Sequence, residues 1–326
     1  MDNDRLLAMR FQHPRHIPVS VSLLPATWAR YREALEELVA RHPVVFGDWQ
    51  RGSRDYDLVQ GTYVAGEHVD IWGCVWKNIR HGMEAMVVGH PVPSREAVHR
   101  LHPPDGLLGR LPHGFMYLRL ADLRGFDQLM LDFAEEPPEL QMLIDVVLDH
   151  NLHELEAILS VAQGEMLYFG DDLGMQTSLP ISPAKWRSYL KPCYAALYGR
   201  CQEAGYAVYM HSDGHIVEII PDLVECGVNV VNPQVRANGL ERLASVCKGV
   251  ICVDLDLDRQ LFPFATPAEI DAHVRGAVET LGSPEGGLWL TAECGPDVSL
   301  ENIEAICSAL EHYRGIFGPE GQLTGY

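Results

Sequence analysis

Short apolar runs alternate with amphipathic stretches throughout the second half of the chain. LYFGDDLG (167–174) predicts a strand that enters an acidic, glycine-containing loop. SPAKWRSYLKPCYAALYGRCQEAG (182–205) predicts a helix capped by Ser182, with Pro183 at its first position and Gly205 closing it. YAVYMHSDG (206–214) is a second strand, and HIVEIIPDLVECG (215–227) a helix despite Pro221. The alternation continues with VNVVNPQV (228–235) as strand, LERLASVCKG (240–249) as helix and VICVDLD (250–256) as strand. TPAEIDAHVRGAVETLG (266–282) carries a capping-box signature, Thr266 followed by Pro267 and Glu269. LWLTAECG (288–295) is the last strand and LENIEAICSALEHYRG (300–315) the last helix.

The first half is less periodic. VVFGDW (44–49) reads as the first strand of the sheet, and 68–78 and 83–92 as a hairpin-like excursion. Residues 102–114 are turn-rich, and 123–160 predict helix broken near Pro137 and Pro138. No linker and no internal repeat divides the chain, so residues 1–326 are expected to form a single domain.

Successive strand–loop–helix units require a parallel sheet with helical crossovers. The strands are nearly continuous apolar runs, as in sheets covered on both faces. No GxGxxG follows a strand, so a dinucleotide fold lacks its fingerprint. Polar residues recur at the strand ends: Asp171 and Asp172, His211 and Asp213, Asn232 and Gln234, Asp254 and Asp256, Glu293 and Cys294. A (β/α)8 TIM barrel gathers all such ends at one mouth. The expected fold is therefore α/β, a (β/α)8 barrel with an N-terminal extension.

Charge narrows the function. With 25 Lys and Arg against 45 Asp and Glu, the formal net charge is −20, which argues against nucleic acid as a partner. No apolar run reaches the roughly 18 residues of a membrane span, and the N-terminus lacks a signal-peptide core; a cytoplasmic protein is expected. The eight cysteines form no CxxC pair, so reduced thiols are expected.

Within a strand, residues two apart share a face. His211 and Asp213 then project together, and both imidazole and carboxylate bind zinc. Cys294, at the end of the last strand, is the candidate third ligand, with Cys252 as alternative; His215 starts the next helix. A His–Asp–Cys set with an open position is an arrangement that catalytic zinc uses. Asp171, Asp172 and Glu293 are the candidate acid–base groups. Trp72, Gln176, Asn232, Gln234 and Asp254 are candidate substrate contacts, although core packing explains a tryptophan such as Trp72 equally well.

PRHIPV, VDIWGCVW, FGDDLGMQTSLPISPAKWRSYLKP, VYMHSDGHIVEIIPDLVECGVNVVNPQV, VDLDLDRQLFPFATPAEI and AECGPDVSLENIEAI together resemble the uroporphyrinogen decarboxylase superfamily. The resemblance implies a single (β/α)8 barrel. The arginine-rich N-terminal segment of the decarboxylase is absent, and the chain is more similar to the zinc-dependent methyltransferases that work with corrinoid proteins. Those commonly carry His-x-Cys and a later Cys; His211 and Cys294 match, whereas Asp213 stands where a Cys is expected. The resemblance implies Zn2+, a corrinoid supplied by a separate partner protein, and methyl transfer to or from a small substrate, with O-demethylation of a methoxylated compound preferred. A homodimer is compatible with it. The alternatives are a metal-free decarboxylase or lyase acting on a small acid, and a non-catalytic barrel that binds a metabolite.

Overall fold

The computed structural model describes residues 3–317. Nine strands occur among them: β1 (Val19–Leu23), β2 (Gly66–Val69), β3 (Val75–Asn78), β4 (Met86–Gly89), β5 (Met166–Gly170), β6 (Ala207–Ser212), β7 (Val230–Pro233), β8 (Cys252–Asp256) and β9 (Leu288–Cys294). The fold is α/β. Six strands form one sheet in the order β1-β9-β8-β7-β6-β5, and the other three form a sheet in the order β2-β3-β4. The chain divides into two compact units. One comprises Met1–Val64, Arg80–Met83 and Asn232–Tyr326, the other Ala65–Ile79 and Glu84–Val231.

In the first unit, β9 pairs in parallel with β1 on one side and β8 on the other. The last strand thus pairs with the first, Val19 opposite Leu290 and Leu23 opposite Cys294. The first strand is VSVSL and not VVFGDW. Residues Pro43–Phe46 form a short helix instead, with Pro43 in its first turn, where a missing N–H costs nothing. VSVSL escaped notice because its serines interrupt the apolar run; Ser20 Oγ meets Thr291 Oγ1 at 3.0 Å. The capping box of the Pro267–Leu281 helix is present as predicted. Asn302, in the Leu300–Tyr313 helix, donates its amide to the carbonyls of Phe262 (2.6 Å) and Ala265 (2.9 Å).

In the second unit, β5 and β6 are parallel, with Gly170 opposite His211. The predicted excursion is the antiparallel β2-β3-β4 sheet. Prolines set the helix boundaries that periodicity blurred. The predicted 182–205 helix is two, Pro183–Tyr189 and Lys191–Glu203, because Pro192 opens the second. The helix after β6 is only Ile220–Glu225 and starts at Pro221, so residues 215–219 are not helical. The break at Pro137 and Pro138 separates Phe126–Glu135 from Pro138–Val161.

Thr266→Ala removes a cap and should cost about 1 kcal/mol. Asn302→Ala strands the buried Phe262 carbonyl and the half-buried Ala265 carbonyl and should cost more, about 2 to 3 kcal/mol. Urea unfolding midpoints with unchanged slope check both values and their order.

Candidate functional site

The chain does not separate where β5 and β6 end. Asp171 N–H donates to the His211 carbonyl (3.1 Å), Leu173 N–H to Ser212 Oγ (2.9 Å), Gly174 N–H to the Asp213 carbonyl (3.3 Å), and His215 N–H to the Met175 carbonyl (2.7 Å). The two loops close on each other at Gly174 and Gly214. A Cβ on Gly214 would lie 2.2 Å from the Gly174 carbonyl oxygen, and one on Gly174 2.3 Å from the His215 nitrogen. Gly214 also has φ +80°, a conformation that side chains disfavour. Only glycine fits at both places.

This extended pairing sends Asp171 and Asp172 in opposite directions, as alternation on an extended chain requires. Asp171 is fully buried. Its carboxylate accepts from the backbone N–H groups of Met116 (3.2 Å), Tyr117 (2.6 Å) and Leu118 (2.9 Å), and from the Tyr194 hydroxyl (2.6 Å). It therefore satisfies the open N-terminus of the Tyr117–Arg124 helix, where unpaired donors and the helix dipole favour an anion. Burial raises its pKa above the ordinary carboxylate value, against the hydrogen bonds from Tyr194, Leu118 and Tyr117. Of the two adjacent aspartates, this one is an anchor.

The anchor delivers a residue that spacing alone did not reveal. Immediately before the anchored helix, Gly114 N–H donates to the Gly170 carbonyl (2.8 Å). Asn151 and Glu154, from the Pro138–Val161 helix, hold the same segment. Asn151 donates to the Phe115 carbonyl (2.8 Å), and Glu154, almost completely buried, accepts from Leu108 N (2.6 Å) and Gly109 N (2.9 Å). Thus restrained, His113 lies against Gly170, where a Cβ would come within 2.6 Å of its Nδ1.

Asp172 lies between two imidazoles. His113 Nε2 is 3.1 Å from its Oδ2, and His211 Nε2 is 3.7 Å from its Oδ1. The rings of His113 and His211 are 5.6 Å apart. One donor atom from each of His113, Asp172 and His211 can be chosen so that all three lie within 4.8 Å of one another, close enough to surround one cation. Asp213 flanks the group, its Oδ1 3.3 Å from His211 Nε2 and its backbone N–H donating to Asp172 Oδ1 (2.9 Å). Burial opposes charge on Asp172. The His113 hydrogen bond and charge, the Asp213 amide and His211 outweigh it and hold the carboxyl below its ordinary 3.8. His113 is raised above 6.5, chiefly by the hydrogen bond to Asp172 and against burial.

The remaining sequence candidates sit as follows. In the second unit, Trp72 is buried edge-on against His150, ring centroids 4.9 Å apart, and Gln176 is exposed. In the first unit, Asn232 donates to the Asp254 carbonyl (2.6 Å), and Asp254 is buried. Gln234 bridges to Asp256. Glu293 accepts from Arg259 (2.7 Å) and lines a cavity of about 590 Å3 with Arg236, Arg259, Gln260, Phe264 and Asp297. Cys252 and Cys294 are fully buried. Burial raises the Cys294 thiol pKa far above its ordinary value, helped by Glu293 and Asp297, and the thiol is electrostatically coupled to Cys307 of the last helix. The mutual cluster contains His211 from the sequence-derived ligand set and Asp172 from the acid–base set; neither Asp213 nor Cys294 is part of it. His113 escaped because it sits in LPHG, in a turn-rich stretch far from any strand end.

A carboxylate and an imidazole at the ends of neighbouring parallel strands, joined by His113 from a loop, form a site of the kind that enzymes build on parallel α/β folds. Residues 115–313, more than half of the chain, match the model of the uroporphyrinogen decarboxylase (URO-D) family, and the chain belongs to that family. Among solved structures it is similar to a methyltransferase from Methanosarcina mazei. That likeness has 18% identity and a TM-score of 0.62, covers 95% of this chain and 98% of that one, and establishes the fold. A dihydropteroate synthase from Xanthomonas albilineans aligns over 45% of this chain and 52% of its own, at 15% identity and a TM-score of 0.31, too weakly to support an argument. No curated protein matches the sequence significantly. Among the described residues, no helix is long and apolar enough to cross a membrane.

Two outcomes follow. Gly170→Ala should displace the His113 ring and weaken divalent-metal binding at least tenfold, about 1.4 kcal/mol, with little loss of secondary structure; metal titration and circular dichroism check this. In metal-free protein, the His113–Asp172 pair adds stability between two limits. Its contribution fades as pH falls through the depressed Asp172 pKa, and again as pH rises through the elevated His113 pKa. The melting-temperature gap between the wild type and His113→Gln should therefore be widest in mildly acidic buffer and close above neutrality.

Proposed function

We propose that this chain is a metal-dependent methyltransferase of the URO-D family, folded as one (β/α)8-barrel domain and working in the cytoplasm. The observation that carries the reading is the cluster of His113, Asp172 and His211. Two imidazoles and a carboxylate within mutual reach are a donor set that suits zinc and similar divalent ions. His113 and His211 would hold the ion through Nε2, and Asp172 through its carboxylate. A bound divalent ion supplies Lewis acidity at that point. Asp213 keeps Asp172 in place through its backbone N–H, and Asp171 with Glu154 keeps His113 in place. The likeness to a methyltransferase supports the type of reaction.

A small substrate, preferably methoxylated, exchanges its methyl group with a corrinoid carried by a separate protein. Of the sequence-based ligand set, His211 is in the mutual cluster, and His113 and Asp172 stand in it beside His211 in place of Asp213 and Cys294. The second reading is a decarboxylase acting without metal. It is favoured by the hydrogen-bonded His113–Asp172 pair, which resembles an acid–base couple.

Protein purified without an affinity tag should contain about one zinc-type ion per chain. His113→Ala and His211→Ala should lose it, and Cys294→Ala should keep it. With cob(I)alamin and a methoxylated aromatic compound, the metal-loaded protein should form methylcobalamin, followed by absorbance. Full activity after metal removal, or carbon dioxide release from a small acid, would support the second reading.

A further inference from the structure

We infer that the cavity of about 590 Å3 in the first unit is a binding site for an organic cation of the alkylated-ammonium class, held between the Asp297 carboxylate and the Phe264 ring. The inference concerns that cavity alone and does not rest on the metal reading of His113, Asp172 and His211.

The charged residues of the wall decide the sign of the ligand. Arg259 donates to Glu293 (2.7 Å) and lies 3.2 Å from an Asp256 oxygen. Arg236 donates to both oxygens of Asp258, at 2.8 and 3.0 Å. Each guanidinium group of the wall therefore meets a carboxylate. Arg30, which is exposed, donates to the carbonyl of Pro296, another wall residue. Asp297 is different. Among the described residues its carboxylate has no hydrogen-bond or ion-pair partner. It folds back over Gly295, where a Cβ would lie 2.6 Å from its Oδ1. Glu293 and Asp297 both raise the pKa of Cys294, so the two carboxylates act on the same end of β9. An uncompensated carboxylate near a second, partly exposed one, in a chain of net charge −20, favours a cation and disfavours an anion.

The rest of the wall decides the kind of cation. Leu24, Met83, Pro263 and Pro296 supply apolar surface. Phe264, also in the wall, is 88% exposed, whereas Phe262 is fully buried. The turn that carries the exposed ring is well fixed. Asp258 Oδ1 accepts from the N–H groups of Gln260 (3.1 Å) and Leu261 (3.2 Å), and the Leu261 carbonyl accepts from those of Phe264 and Ala265, both at 3.0 Å. Asp258 thus neutralises Arg236 and shapes the turn that holds the Phe264 ring in water. An exposed ring loses the stability that burial would give it, and its face attracts a cation. A small inorganic cation keeps its water and gains nothing from apolar walls. An ammonium whose charge is spread over alkyl groups sheds water more readily, covers the apolar surface, and faces both the ring and the carboxylate.

Titration calorimetry of the full-length protein provides the test. Choline serves as the cation, the alcohol with a tert-butyl group in place of its trimethylammonium as the neutral probe of the same shape, and pivalate as the anion. Choline should bind saturably, roughly tenfold or more tighter than the alcohol, and more weakly as salt is added. Asp297→Asn should lose roughly tenfold in choline affinity and leave the weaker binding of the alcohol unchanged. Phe264→Leu, which keeps an apolar side chain, should lose roughly threefold. Both positions are exposed, so both variants should keep the wild-type circular dichroism. No saturable binding of choline, equal or tighter binding of the alcohol or of pivalate, or an unchanged choline affinity in either variant would overturn the inference.

Discussion

The backbone-to-backbone contact between Gly174 and Gly214 is the constraint on which the candidate site depends. Two loops that leave neighbouring parallel strands normally diverge to reach their own helices. Here they remain paired for several residues beyond the strands, because nothing but hydrogen stands between them. The pairing holds Asp172 level with His211 and Asp213. Without it each side chain would sit on an independent loop, and holding three donors within 4.8 Å would carry the entropic cost of ordering both loops.

The contact also explains why neighbouring aspartates act so differently. Extended backbone turns consecutive side chains to opposite faces. One carboxylate enters the protein and the other faces the open side. A fully buried carboxylate is tolerable only with its oxygens occupied by donors, and Asp171 has four. Three come from the start of a single helix, so the buried carboxyl fixes the start of that helix and thereby the loop carrying His113. Asp172 gains its stabilisation from the histidine so positioned. The anchoring of the first aspartate thus supplies the partner of the second.

Much of this was legible in the sequence, for physical reasons that can be named. The strand ends around Asp171 and His211 were readable because β5 and β6 are apolar runs ended abruptly by polar residues. The pairing of the last strand with the first followed from barrel topology, although the first strand itself was misplaced. VSVSL alternates its valines with a half-buried and an exposed serine, while a short apolar run beginning at Pro43 is free to coil into a helix. His211 was recognisable from its place at a strand end. His113 was not, because nothing local distinguishes it; its position is set by Asp171, Asn151 and Glu154, which lie at least 38 residues away in the chain. Only FGDDLG and HSDG hint at the loop contact, each closing on a glycine that no turn pattern required.

Asp213 illustrates how a change of one ligand type can alter a whole site. A thiolate at that position would place sulfur two residues from His211 on the same face, and softness would then decide which ion and which substrate are preferred. A carboxylate carries its donor atoms one bond farther from the backbone than a thiolate does, and it is the harder ligand. In this chain the side chain reaches His211 but stays outside the mutual cluster. Its backbone N–H holds Asp172 Oδ1. That bond is indifferent to the side chain at 213. That one bond to Asp172 can therefore persist whatever residue stands at 213, which separates this support of the cluster from the chemistry of the side chain beside it.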